Sequence, residues 1–177
     1  MGNAIHEIKE LLNSKIKPKE KTIRLSELLQ NDTQLIAEML ENFRHFTASE
    51  QGTCLSALTI IAQDNPKSLG THLDFIIARL GDKPPRVKWE AGEIVGYLAR
   101  EFPQQVTPAI PALLANTRED GTVVRWSAAF ALTEIAKYNS QSHRQLVPFF
   151  KKSADTETGG VKTLYVKALK QLAKAAG

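Results

Sequence analysis

Three stretches of this chain recur at a fixed interval of 37 residues: Val87-Lys88-Trp89, Val124-Arg125-Trp126 and Val161-Lys162, with small and branched side chains in step behind each. A constant interval of this length marks a stack of like supersecondary units, each too small to bury its own apolar face without its neighbours. The working part of such a chain is a surface shared by successive units rather than a closed pocket.

Apolar residues recur at helical spacing almost throughout, and no alternating strand pattern is present. Short breaks at Asp64-Asn65-Pro66, Gly81 to Pro85, Phe102-Pro103, Asp120-Gly121 and Thr158-Gly159-Gly160 divide the chain. The pattern predicts helices over 4–13, 19–31, 33–45, 49–63, 68–80, 86–100, 107–117, 122–138, 143–152 and 161–175. Thr47 with Glu50 reads as a capping box, and Thr107-Pro108 as a cap followed by a first-turn proline. In the first helix of each pair Ile36, Leu73, Ile110 and Val147 share the 37-residue frame, as do Met39, Ile76, Leu113 and Phe150. In the second helix the frame links Leu58, Val95, Leu132 and Leu169, then Ile61, Leu98, Ile135 and Leu172, then Ala62, Ala99, Ala136 and Ala173. The expected architecture is therefore an all-α, right-handed α-solenoid of about five helical hairpins in one domain. Residues 1–32 form an atypical capping hairpin, joined to the next by a 33-residue offset, and in-phase repeats occupy about 33–66, 67–103, 104–140 and 141–177.

Composition narrows the function classes. Apolar runs fall short of a membrane span, and the charged start MGNAIHEIKELL does not read as a secretory signal, so a soluble, cytoplasmic protein is expected. Cys54 is the single cysteine and stands in register with Ala91, which assigns it to packing and excludes an internal disulfide or a cysteine-rich metal site. His6, His45, His72 and His143 are scattered, and no Ser-His-Asp order, phosphate loop or paired-His spacing occurs, so no catalytic residue, metal or cofactor is expected. Residues 121–177 hold nine Lys/Arg against three acids, so an acidic partner would be drawn to that third of the chain.

The hairpins resemble HEAT repeats, a group of armadillo-like α-solenoids whose first helix often carries a proline and whose second opens on Val-Arg followed by alanines. Pro111 and Pro148 match that proline, whereas Asp74 does not; Val124-Arg125-Trp126-Ser127-Ala128-Ala129 and Val87-Lys88-Trp89-Glu90-Ala91-Gly92 match the opening, and Val161-Lys162 its first two residues. The spacing of 37 is below the roughly 40–47 usual for these repeats, which implies short loops. The resemblance further implies that second helices line a concave wall, and that Lys88, Arg125 and Lys162 bridge acids such as Asp82, Glu119 and Asp120.

At about 100° per residue, Val87, Ala91, Ile94, Val95 and Leu98 form one stripe, repeated by Val124, Ala128, Ala131, Leu132 and Ile135. Opposite this core stripe lie Trp89, Glu93, Gly96 and Arg100; then Trp126, Phe130, Thr133 and Lys137; then Thr163, Lys167, Lys170 and Lys174. Trp89 and Trp126 are expected to form a stacked aromatic ladder extended by Phe130, beside a cationic row of Arg100, Lys137 and Lys174 enlarged by Lys167 and Lys170. Aromatic anchors rimmed by cations suit a protein or peptide partner with apolar and acidic groups. The same bulky residues could instead fill the seams between repeats. A nucleic-acid surface is the competing class, supported by the basic third and opposed by Glu93 and Glu134. HEAT-like alkylpurine DNA glycosylases, which use aromatics and a carboxylate on a concave basic face, are a further comparison in which Glu93 would be the acid or base, but no aspartate lies at these floor positions and their motif is not matched; the phycobilin lyases share the repeats alone. Self-association of the inner wall is a third possibility.

Overall fold

The computed structural model describes residues 2–175, with side chains from 5 to 174, as an all-α solenoid of five helical hairpins. The first helices are α1 (Gly2–Asn13), α3 (Gln34–Glu41), α5 (Leu73–Arg79), α7 (Ile110–Asn116) and α9 (Ser140–Thr156). The second are α2 (Pro18–Asn31), α4 (Ala48–Asp64), α6 (Pro85–Leu98), α8 (Thr122–Tyr138) and α10 (Gly159–Ala175).

The helix boundaries follow from local chemistry. Thr47 and Glu50 form the expected capping box, with the Thr47 amide donating to Glu50 Oε2 at 2.7 Å and the Glu50 amide donating to Thr47 Oγ1 at 3.3 Å. Pro18 and Pro85 occupy first-turn positions, where the missing N–H has no helical partner to lose. Gly159 closes the α9–α10 turn at φ +56°, a left-handed conformation that glycine adopts without a Cβ penalty.

Several boundaries differ from the sequence expectation. Thr107 does not cap a helix: its hydroxyl donates to the Gln104 carbonyl at 2.8 Å, and residues 107–109 form a 3-10 turn before α7. Similar 3-10 segments follow α3 at Phe43–His45 and precede α5 at Pro66–His72, so these first helices are shorter than their apolar period suggests. Conversely, α9 begins three residues early because Asn139 caps it, its Oδ1 accepting from the Ser142 amide at 2.9 Å. Pro148 sits inside α9, on its exposed side, where water can satisfy the carbonyl left without a donor.

The register read from the sequence is the register of the core. Leu58, Val95 and Leu132 are fully buried, Ile61, Leu98 and Ile135 nearly so, and Cys54 is buried among them with its thiol pushed up to about 12 by desolvation. Each second helix packs directly on the next, α2 on α4, α4 on α6, α6 on α8 and α8 on α10, whereas the later first helices approach one another sparsely. The α6–α8 seam is especially close, because Gly92 and Gly96 leave room for Ser127, Phe130 and Ala131. Seams are also stitched by asparagine: Asn116 Nδ2 donates to the Leu80 carbonyl and Asn139 Nδ2 to the Pro103 carbonyl, each at 3.0 Å and each one repeat back.

Candidate binding floor on the second helices

The residues that face away from the core on α6, α8 and α10 make up the candidate floor. Trp89, Trp126 and Phe130 are each half-buried, while Arg100, Lys137, Lys167, Lys170 and Lys174 are exposed. Arg100 stands just past the end of α6, and the lysines lie within α8 and α10.

The aromatic ladder takes a different form from the one expected. Trp126 stacks on Phe130 within α8, with ring centroids 5.6 Å apart and planes 10° from parallel, and Phe130 meets Tyr97 of α6 at 5.1 Å. Trp89 and Trp126 do not stack on each other. Equivalent positions on packed helices stand roughly 8–10 Å apart, beyond ring contact, whereas residues four apart on one helix are neighbours. Phe130 owes its position to Gly96, since a Cβ there would come within 2.5 Å of its ring. Trp126 reaches the start of α10, its Cδ1 lying 3.6 Å from where a Gly160 Cβ would be. One side of these rings thus helps close the α6–α8 and α8–α10 seams, and each ring stays partly exposed. Tyr97 was missing from the expected set because it lies one position beyond Gly96, at the margin of the face.

Phe130, Glu134 and Lys137 of α8 and Lys167 and Gln171 of α10 border a cleft of about 150 Å³, with Leu164 and Ala168 at its apolar base. Lys137 lies 3.6 Å from Glu134 and 5.1 Å from the Tyr138 ring centroid. Burial works against its charge, but the Tyr138 and Glu134 interactions outweigh it and its pKa is raised. Among the described residues, Arg100, Lys167, Lys170 and Lys174 make no ion pair. Their charges are available to a ligand.

At the α4–α6 end the floor changes character. Glu90 is buried, and its carboxylate accepts from Ser56 Oγ and, at 2.8 Å, from Thr59 Oγ1 of the preceding repeat. Arg86 donates to Ser56 Oγ at 3.0 Å and fills the space above Gly52, where a Cβ would meet its Cδ at 2.5 Å. This seam network escaped the sequence reading, although Arg86 and Glu90 four apart were its visible signal. Glu93 stands one turn beyond Glu90. Desolvation, with the Glu90 charge second, raises its pKa to about 6.

The row Lys88–Arg125 is tied into seams. Lys88 pairs with Glu119 of the next repeat. Arg125 instead donates to the carbonyls of Glu119 and Asp120, both at 2.9 Å, and reaches Glu157 at 3.5 Å. Asp82 pairs with Arg79 rather than with this row, and Lys162 is exposed. His6 and His45 are exposed, His72 and His143 half-buried, and no cluster of three metal-binding side chains occurs among the described residues. Nor is any described helix long and apolar enough to cross a membrane.

Neither a protein-family model nor a curated protein sequence matches the chain. Solved structures do match its fold. Two engineered proteins of the Northeast Structural Genomics Consortium superpose with TM-scores of 0.74 and 0.75 at 20% and 18% identity; the alignments cover 96% and 99% of this chain and 81% of each of theirs. A designed armadillo repeat protein in complex with the peptide (KR)4 superposes with a TM-score of 0.66 at 16% identity, covering 96% of this chain and 88% of that one. The fold is thus an α-solenoid of armadillo-like helical repeats.

Proposed function

We propose that this protein is a non-catalytic repeat scaffold that grips an extended protein segment along its second helices. Trp89, Trp126 and Phe130 supply apolar anchors, and Arg100, Lys137, Lys170 and Lys174 pair with or steer acidic groups. The observation that carries this reading is the cleft between α8 and α10, where the Phe130 ring borders Lys137 and Lys167 with unpaired cations beyond it. An apolar wall beside free positive charge matches a segment in which an aliphatic or aromatic residue is followed by Asp or Glu. The designed armadillo neighbour is in complex with a basic peptide. The floor of this chain itself carries exposed cations, which suits an acidic ligand. A buried thiol in place of disulfides suits work in a reducing cytoplasm.

The test is fluorescence anisotropy with acidic peptides containing one Leu or Phe. Trp126→Ala is expected to weaken capture by about 2 kcal/mol with the fold intact, whereas Lys174→Ala mainly slows association and flattens the salt response. Unchanged affinity in a folded Trp126→Ala protein would defeat the assignment. Exposed unpaired cations are also what a nucleic-acid surface requires, so single-stranded DNA is titrated in parallel at two salt concentrations. Steep salt-dependent DNA binding that exceeds peptide binding would transfer the floor to that class.

A further inference from the structure

The repeat register exposes a second surface, which adjoins the binding floor at Lys170. Across the inner repeats the column Leu58, Val95 and Leu132 is fully buried, and the column Ala62, Ala99 and Ala136 is at most 2% exposed. Their counterparts in α10 are Leu169, half-buried, and Ala173, exposed. The column of Leu55, Gly92 and Ala129 is likewise buried, yet its member Val166 is half-buried. At 100° per residue, Val166, Leu169 and Ala173 fall within about 60° of one another. They lie opposite Leu164 and Gln171, which face α8 across the cleft. The strip therefore points where a following helix would stack, and no described element covers it.

Leu169 and Ala173 of the strip, with Val147 of α9 and Leu172, border a groove of about 240 Å³ between α9 and α10, to which His143 and Lys151 add polar margins. Those two residues depart from their columns, since His143 replaces the fully buried Leu69 and Val106, and Lys151 replaces Leu40, Ile77 and Leu114. Lys162 and Lys170 are exposed on α10 one turn from Val166 on either side. The apolar edge is thus bordered by three lysines and one histidine.

We propose that this edge docks an amphipathic helix of a partner protein, a helix whose apolar stripe is flanked by Asp or Glu. The stripe would cover Val166, Leu169, Ala173 and Val147 as a further repeat would, and its acids would meet Lys151, Lys162 and Lys170. A second copy of this chain fits poorly. Two-fold pairing of α10 brings the lysines of one copy toward those of the other, a like-charge juxtaposition that opposes association.

The proposal is tested with the full chain and three labelled helical peptides: one with a leucine stripe flanked by glutamates, one with the same stripe flanked by lysines, and one with the stripe changed to serine. The glutamate-flanked peptide is expected to bind at least about tenfold more tightly than either control. Leu169→Glu and Ala173→Glu should each weaken it by about tenfold or more. Ala173 is already exposed, so its substitution keeps the test sound should Leu169→Glu fail to fold. Equal binding of the glutamate- and lysine-flanked peptides, or full binding to folded Ala173→Glu protein, overturns the proposal. So does sedimentation showing that the wild-type chain self-associates through this edge and excludes the peptide. Neither substitution touches a residue of the binding floor, so failure here leaves the reading of that floor standing.

Discussion

Glu93 shows how neighbours rather than residue type set the properties of a single site. Its pKa of about 6 exceeds the ordinary 4.5 because ionisation there occurs against half-buried surroundings and the nearby Glu90 carboxylate. The folded state therefore holds this proton more tightly than the unfolded chain does, and stability falls as pH rises from about 4.5 to 6 and then levels off. Partial exposure limits the penalty to about 1 kcal/mol. Glu93→Gln is expected to remove this part of the pH dependence and to raise stability at pH 7 by up to that amount, measured by urea denaturation at several pH values. The sequence placed Glu93 beside Trp89 on one helix face, but its environment depends on Glu90, which turns toward Ser56 and Thr59 of another repeat. Pairings across repeats, such as Lys88 with Glu119, were legible only where the family resemblance supplied the partner. Phe130 against Tyr97 had no such guide, since ring contacts depend on crossing geometry that a wheel of one helix does not contain.

For the helices, the decisive feature is which pairs approach closely. A glycine-to-alanine change in a helix interior normally gains about 1 kcal/mol from propensity. At Gly96 the new Cβ would lie 2.5 Å from the Phe130 ring and 3.3 Å from the Ala131 Cα, so ring and backbone must both yield. Overpacking of this kind costs about 1–3 kcal/mol, which exceeds the gain. Gly96→Ala is expected to destabilise the chain by about 1 kcal/mol or more and to shift Trp126 fluorescence through the displaced Phe130. Gly160→Ala serves as the contrast: its Cβ would meet Trp126 at an ordinary 3.6 Å, and thermal melts should show no loss. Helix positions were legible to within a few residues because apolar period and breakers coincide at most ends. The short first helices were not, because their apolar spacing continues through 3-10 turns whose tighter winding leaves no mark in it.

At the scale of the whole molecule, the fixed interval determined the stack, its core columns and the layer that carries the floor. What the interval could not convey was where a column ends uncovered, because Leu169 and Leu132 are the same residue in the same phase and differ only in having a neighbour. A linear stack also has graded stability, since units at the edges have fewer contacts than units inside. Hydrogen exchange should therefore be slowest in α6 and α8, around the glycine-lined seam, and fastest in α1 and α10. Uniform protection along the chain would contradict that order. The asparagine stitches at 116 and 139 bear on mechanics as well. Each is a short tether between adjacent repeats, so the molecule should behave as a small torsion spring, stiffest at its glycine-lined middle and able to unwind slightly at its margins.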